Sequence, residues 1–183
     1  MYDLAESQSG YFTTAQARAA GLHPVRLVQL ERNNDIERLS RGVYRLARYP
    51  ISSFGQYMEA SLWPQVRRPG MRGTISHESA LTLYGLSNVS PSKVHITLSP
   101  ALRIRRAPPA QLVIHYAYLD PKDVQIVEGI PVTTAERAIR DVHAAHLGAA
   151  LVRQAIEDGR RTGYLSSDQT KRLKRELLDK KKP

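Results

Sequence analysis

The chain has 183 residues, 27 Lys and Arg against 17 Asp and Glu, a formal net charge of +10, 42% hydrophobic residues and no cysteine. At about 100–200 residues per domain this length allows one domain or two small ones. The missing cysteines remove disulfide frameworks, thiolate-ligated metals and thiol nucleophiles. The sequence lacks both an apolar run of about 18 residues and an export signal in its opening MYDLAESQSGYF, so neither a membrane span nor secretion is expected and the cytoplasm is the expected location.

Residues 3–8 are read as a short first helix, released by Gly10 into the apolar pair Tyr11 and Phe12. Thr13 or Thr14 caps a second helix through AQARAAG, which stops at Gly21, a residue suited to the left-handed cap. Proline at a first helical position loses only a donor that would be unpaired there, so a third helix is predicted from Pro24 to about Asn34. Ile36–Leu39 and Val43–Leu46 are strand-like runs around Ser40, Arg41 and Gly42, with glycine where a positive φ is needed. Helix, helix, turn, helix and basic hairpin is the order of a winged helix-turn-helix, whose third helix enters the major groove of DNA. At 100° per residue, Arg26, Gln29 and Asn33 fall within about 60° of one another, while Leu27 and Val28 are assigned to the other side. Arginine, glutamine and asparagine make two-point contacts with guanine and adenine edges. In the hairpin, Arg38, Arg41 and Arg45 are candidates for phosphate or the minor groove.

Pro50–Gly55 is read as a boundary, dividing a DNA-binding unit at 1–50 from a second domain at 51–183. FGQYMEASLW is predicted helical and PQVRRPGMRG a loop. Ser76 is expected to cap a helix through HESALTLYGL that Gly85 ends. Val94–Leu98, Gln111–Tyr118, Val124–Val127 and Ile130–Val132 are predicted strands. Thr133, Thr134, Ala135 and Glu136 have the pattern of a capping box, opening a helix with the apolar stripe Ala135, Ala138, Ile139 and Val142. Another helix from near Gly148 carries Leu151, Val152, Ala155 and Ile156. A last one, capped at Ser166 or Ser167, holds Leu173, Leu177 and Leu178 among Lys171, Arg172, Lys174 and Arg175. The expected fold is therefore α+β: an N-terminal winged helix-turn-helix, then a mixed α/β domain ending in basic helices.

An excess of +10 draws polyanions, with nucleic acid the leading partner and an acidic protein or membrane surface behind it. The excess is +2 over residues 1–50, +3 over 51–132 and +5 over 133–183, so no single tail owns it. Short arginine clusters stand at Arg67, Arg68 and Arg72, at Arg103, Arg105 and Arg106, and at Arg160 and Arg161. Each is either a solvated loop or a set of phosphate contacts, and the first two clusters join the DNA-binding candidates. Lys180, Lys181 and Lys182 are read as a solvated end.

Catalytic patterns are weak. Of the six histidines only His143 and His146 are close in sequence, at i and i+3, and they lack a third ligand of sensible spacing. Ser76, His77 and Glu78 are adjacent on a helix and cannot converge on one substrate atom. Neither GxxxxGK nor GxGxxG occurs. Asp120, Asp123 and Glu128, with Lys122 between, are explained by turns, although they remain the acids a nuclease would use. No catalytic residue, metal or cofactor is expected.

The blocks GYFTTAQARAAGL and RLVQLERNNDIERLSRGVYRL resemble the winged-helix antitoxin domain of the AbiEi family of bacterial toxin–antitoxin systems. ISHESALTLYGL, VHITLS and GIPVTTAERAIRDV are similar to that family's second domain, so the likeness spans about residues 5–158. It implies a DNA-binding repressor of its own operon, partnered with a nucleotidyltransferase toxin that it counteracts. His23 to Asn33, Arg32 included, match the recognition helix, and Arg38 to Arg45 match the wing through Gly42, Val43, Tyr44 and Arg45. A related group of regulators continues into an endonuclease-like domain, from which this chain departs by ending in basic helices. The alternatives are a stand-alone winged-helix regulator and a nuclease-like enzyme. Oligomeric state is left open, since paired half-sites would need a dimer or two monomers placed by the DNA.

Overall fold

The structure is a computed structural model that describes residues 2–66 and 70–179, and it has the α+β architecture expected. Its elements are α1 (Tyr2–Glu6), β1 (Tyr11–Thr13), α2 (Thr14–Ala19), α3 (Pro24–Arg32), β2 (Ile36–Ser40), β3 (Val43–Leu46), α4 (Gly55–Leu62), β4 (Thr74–Ile75), α5 (His77–Tyr84), β5 (Val94–Leu98), β6 (Leu112–Tyr116), β7 (Val124–Val127), β8 (Ile130–Thr133), α6 (Ala135–Ala144), α7 (Ala149–Arg161) and α8 (Ser167–Leu173). The last helix continues through one π-helical turn, Lys174–Leu178.

The first sheet is antiparallel in the order β1-β3-β2. Phe12 lies opposite Tyr44, and Ile36 opposite Leu46. These four share one face and, with Ala5, Ala17, Leu27 and Leu30 from the helices, make a first core. Side chains alternate across a strand, so Tyr11 and Val43 point the other way, into a second core that also holds Tyr57, Met58 and Trp63. The sheet is thus covered on both sides. β1 escaped sequence reading because three residues carry too little periodicity to register as a strand.

The second sheet runs β6-β5-β4-β8-β7. β4 pairs antiparallel with β5 and parallel with β8, β5 is parallel to β6, and β7 is antiparallel to β8. The two residues of β4 sit at its centre, a strand visible only through its neighbours. Ile75, Ile96 and Ile130 from the sheet and Leu81, Ile139, Ile156 and Leu173 from the helices are fully buried. Ala135, Ala138, Ile139 and Val142 are buried as the stripe predicted.

Two expected caps differ. Thr134 is the N-cap of α6 and accepts from Arg137 N, which puts Glu136 one position too early to close a capping box. Glu136 instead meets Arg140 at 3.0 Å and Arg172 at 2.8 Å and accepts from Gln169, joining α6 to α8. Ser76 stands at the N-cap of α5 without capping it, since its hydroxyl bonds to Thr97 and His77.

Candidate nucleic-acid interface

The helix–turn–helix is assembled by local chemistry. Thr13 accepts from Gln16 N while Gln16 accepts from Thr13 N, a complete capping box at the start of α2. The turn passes through Gly21 at φ +82°, and Leu22 packs against the first core. His23 caps α3 by accepting from Val25 N at 3.4 Å, with Pro24 at the first helical position. A helix held this way keeps its N-terminal turn ordered for contact.

Along α3, Leu27 and Leu30 are buried. His23, Arg26, Gln29, Arg32 and Asn33 are all exposed, as are Val25 and Val28. Arg26 Nη1 donates to Gln29 Oε1 at 3.2 Å, so this pair is pre-oriented. The placing of Val28 beside Leu27 on the inner side is corrected: the core takes up Leu27 with Leu30, and Val28 lies a further 100° round the helix.

At the tip of the wing, Gly42 has φ +84°, and a Cβ there would stand 2.4 Å from Val66 Cγ1. Its carbonyl accepts from Thr14 N at 2.9 Å, which ties the wing to the start of α2. Between them lies an open groove of about 700 Å³, lined by Thr14, Ala15, Arg18, Arg38, Arg41, Gly42, Tyr44 and Val66. Arg18, Arg38 and Arg41 are exposed, and no carboxylate among the described residues pairs with them, in contrast to Arg45, Arg137 and Arg140. Sequence reading passed over Arg18, although its place one residue after the inward-facing Ala17 marks it as outward.

Three expected contacts are withdrawn into the protein. Arg45 shares the inner face of β3 with Val43; its side chain is 11% exposed and donates to Glu37 Oε2 at 2.7 Å. Arg72 donates to the carbonyl of Gly129 at 2.8 Å and to Met58 Sδ at 3.2 Å, pinning the β7–β8 turn to α4. Arg106 lies 3.8 Å over the ring of Trp63 and donates to its carbonyl at 2.6 Å. Each of the three is half-buried and donates to a protein acceptor. Arg103 and Arg105 are exposed, Arg103 lying 6.0 Å from the centre of the Tyr116 ring. Arg67, Arg68 and Lys180–Lys182 lie outside the described residues.

Elsewhere the fold makes a cluster that sequence spacing did not show. His77, on α5, stacks on His115, on β6, with ring centres 3.6 Å apart, and His95 Nδ1, on β5, lies 3.1 Å from His115 Nε2. Thr97 Oγ1 donates to Ser76 Oγ at 2.8 Å, which frees the Ser76 hydroxyl to donate to His77 Nδ1 at 2.9 Å. His95 Nε2 faces Glu78 at 3.6 Å, so a proton there leaves His95 Nδ1 to accept from His115. The His77 and His115 planes are within 15° of parallel, so their lone pairs run side by side and do not converge. Among the described residues no group of three or more His, Cys, Asp or Glu is placed to hold a metal ion. Of the acids near residue 120, Asp120 caps a turn by accepting from Lys122 N and Asp123 pairs with Arg137 at 3.0 Å.

Burial pushes His77 and His115 down from 6.5 to about 4, assisted by the neighbouring imidazoles and, at His77, by Arg137; Asp141 works the other way at His115. At His95 burial again lowers the value, with Lys93 in the same sense and Glu78 against it. A histidine whose folded pKa is depressed leaves the unfolded chain binding more protons between about 4 and 6.5, so stability is lost as pH falls through that window. Acidification from about pH 7 to 5 is expected to cost about 2 kcal/mol, allowing for screening at these partly exposed rings. Thermal denaturation at the two pH values checks this: His115→Gln should flatten the dependence, and equal melting temperatures in the parent protein would disprove it.

Residues 1–47 match the model of a family described as "Transcriptional regulator, AbiEi antitoxin". Among solved structures the chain is similar to the crystal structure of the RV2827C protein from Mycobacterium tuberculosis, with 16% identity and a TM-score of 0.54 over 96% of this chain and 69% of that one. At that identity the likeness concerns the fold. No protein of curated function matches the sequence. No helix among the described residues is long and apolar enough to cross a membrane. Over residues 1–47 the N-terminal unit is similar to the transcriptional-regulator domain of AbiEi antitoxins.

Proposed function

We propose that the chain is an antitoxin that binds operator DNA, represses its own operon and counteracts a nucleotidyltransferase-type toxin. One observation carries the DNA half: the cationic groove beside the tied-down wing, where Arg18, Arg38 and Arg41 pair with no carboxylate among the described residues. In this reading α3 lies in the major groove, with Arg26, Gln29, Arg32 and Asn33 toward base edges and His23 at its entry. The groove residues hold phosphates, which position the protein without reading sequence. Arg103 and Arg105 supply further grip from the second domain. The AbiEi match at residues 1–47 supports the regulator and antitoxin role, and the toxin partner and the autoregulation are proposed from what the resemblance to that family implies.

Titration with duplex DNA from upstream of the chain's own reading frame, across salt concentrations, tests the DNA half. Each neutralised phosphate contributes about 0.9 to the slope of log affinity against log salt, so a slope of about −3 or steeper is expected. A slope near zero sinks the idea. For the antitoxin half, growth arrest caused by an adjacent nucleotidyltransferase reading frame should be relieved by co-expressing this chain; arrest that persists would refute it.

A further inference from the structure

We infer that Val25 and Val28 form an apolar reading surface for thymine C5-methyl groups in the major groove, an inference that rests on the DNA-binding reading of α3. Their exposures are 57% and 47%. Spaced i and i+3, they lie about 60° apart on the helix, with Arg32 between them and Gln29 beside Val25. The direction opposite the midpoint of Leu27 and Leu30 falls within about 10° of Val25. Val25 therefore stands at the centre of the outward face, and the polar set Arg26, Gln29 and Asn33 lies to one side of it.

Single exposed apolar residues are ordinary on protein surfaces. This pair differs in its setting. Valine is a poorer helix former than alanine, leucine or lysine because branching at Cβ restricts χ1. Two valines on the solvent side of a nine-residue helix therefore gain nothing for the helix itself. Arg26 and Arg32 accompany them on the same helix, and no carboxylate among the described residues pairs with either. That charge suits a polyanion. Within the major groove the apolar group a base presents is the methyl of thymine, which an aliphatic side chain can cover while neighbouring arginine and glutamine meet hydrogen-bonding edges. Val25 falls in the first turn of the recognition helix, the part that approaches bases in this motif, and Val28 stands near its middle.

The probe is a duplex selected by the full-length protein from a randomised pool. Its thymines are replaced one at a time by deoxyuridine, which removes the C5-methyl and keeps the pairing. Deoxyuridine at one or two positions per bound helix is expected to weaken binding about fourfold per methyl, the effect of returning one methylene-sized group to water. Val25→Ala and Val28→Ala should each abolish the sensitivity at one such position without lowering the melting temperature, because both side chains are exposed and alanine is the better helix former. A sequence preference indifferent to every deoxyuridine, or valine variants that keep the full sensitivity, would overturn the inference and leave DNA binding standing. Failure to select any duplex would overturn both. Capture of a protein partner through α3 that the valine variants abolish, without change in DNA preference, would assign the surface to that partner instead.

Discussion

Replacing Arg18, Arg38 and Arg41 together by alanine is expected to lower DNA affinity about a hundredfold near physiological salt and to flatten the salt slope by about 2.7, three phosphates at about 0.9 each. Each screened, charge-assisted contact contributes about 1 kcal/mol, less than the ~1.5–3 kcal/mol usual for bonds to charged groups because the groove is open to water. All three side chains are exposed, so the fold should survive their removal within about 0.5 kcal/mol. Arg45→Ala makes the contrast. It should leave the slope unchanged while destabilising the wing, because its guanidinium serves Glu37 on the adjacent strand. A triple variant that keeps the parental slope, or an Arg45→Ala variant that loses it, would reverse the roles assigned to these arginines.

Phe12→Ala is the substitution with the largest expected effect on stability, about 3–5 kcal/mol. Phe12 is fully buried and stacks on Tyr44 with ring centres 5.6 Å apart, at the middle of the first core. A loss of that size is a large share of a domain's total stability of about 5–15 kcal/mol. DNA binding should fail with it, although no residue facing the nucleic acid has changed. The second core has its own reporter, the single tryptophan, Trp63, which is buried there. We expect far-ultraviolet circular dichroism to show an early partial transition while Trp63 emission holds to a higher temperature. Coincident transitions would mean that Tyr11 and Val43, which cross from the first sheet into the second core, bind the two units into one cooperative body.

The parts of the interface readable in the sequence are those whose causes lie within a few residues. Thr13 with Gln16, His23 before Pro24, and Gly42 at the wing tip need only near neighbours to define a cap, a helix start and a positive φ. The resemblance of the N-terminal blocks to AbiEi antitoxins follows from the same short-range pattern, and the family match at residues 1–47 agrees with it. Which arginines face water was not readable. Arg45, Arg72 and Arg106 look like Arg41, Arg103 and Arg105 in the chain. They turn inward because acceptors arrive from across the fold: Glu37 on the neighbouring strand, Gly129 on the β7–β8 turn and Trp63 after α4.

The histidines separate the two kinds of information most clearly. Spacing pointed to His143 and His146, yet the cluster that forms draws His77, His95 and His115 from α5, β5 and β6. It depends on the parallel register that sets Thr97 beside His115. The order of elements, the capped helix–turn–helix and the excess of positive charge were legible along the chain, because they arise from local backbone preference and composition. Which arginines pair, which valines point outward and which imidazoles meet emerged on folding, because burial and pairing are set by segments distant in the chain.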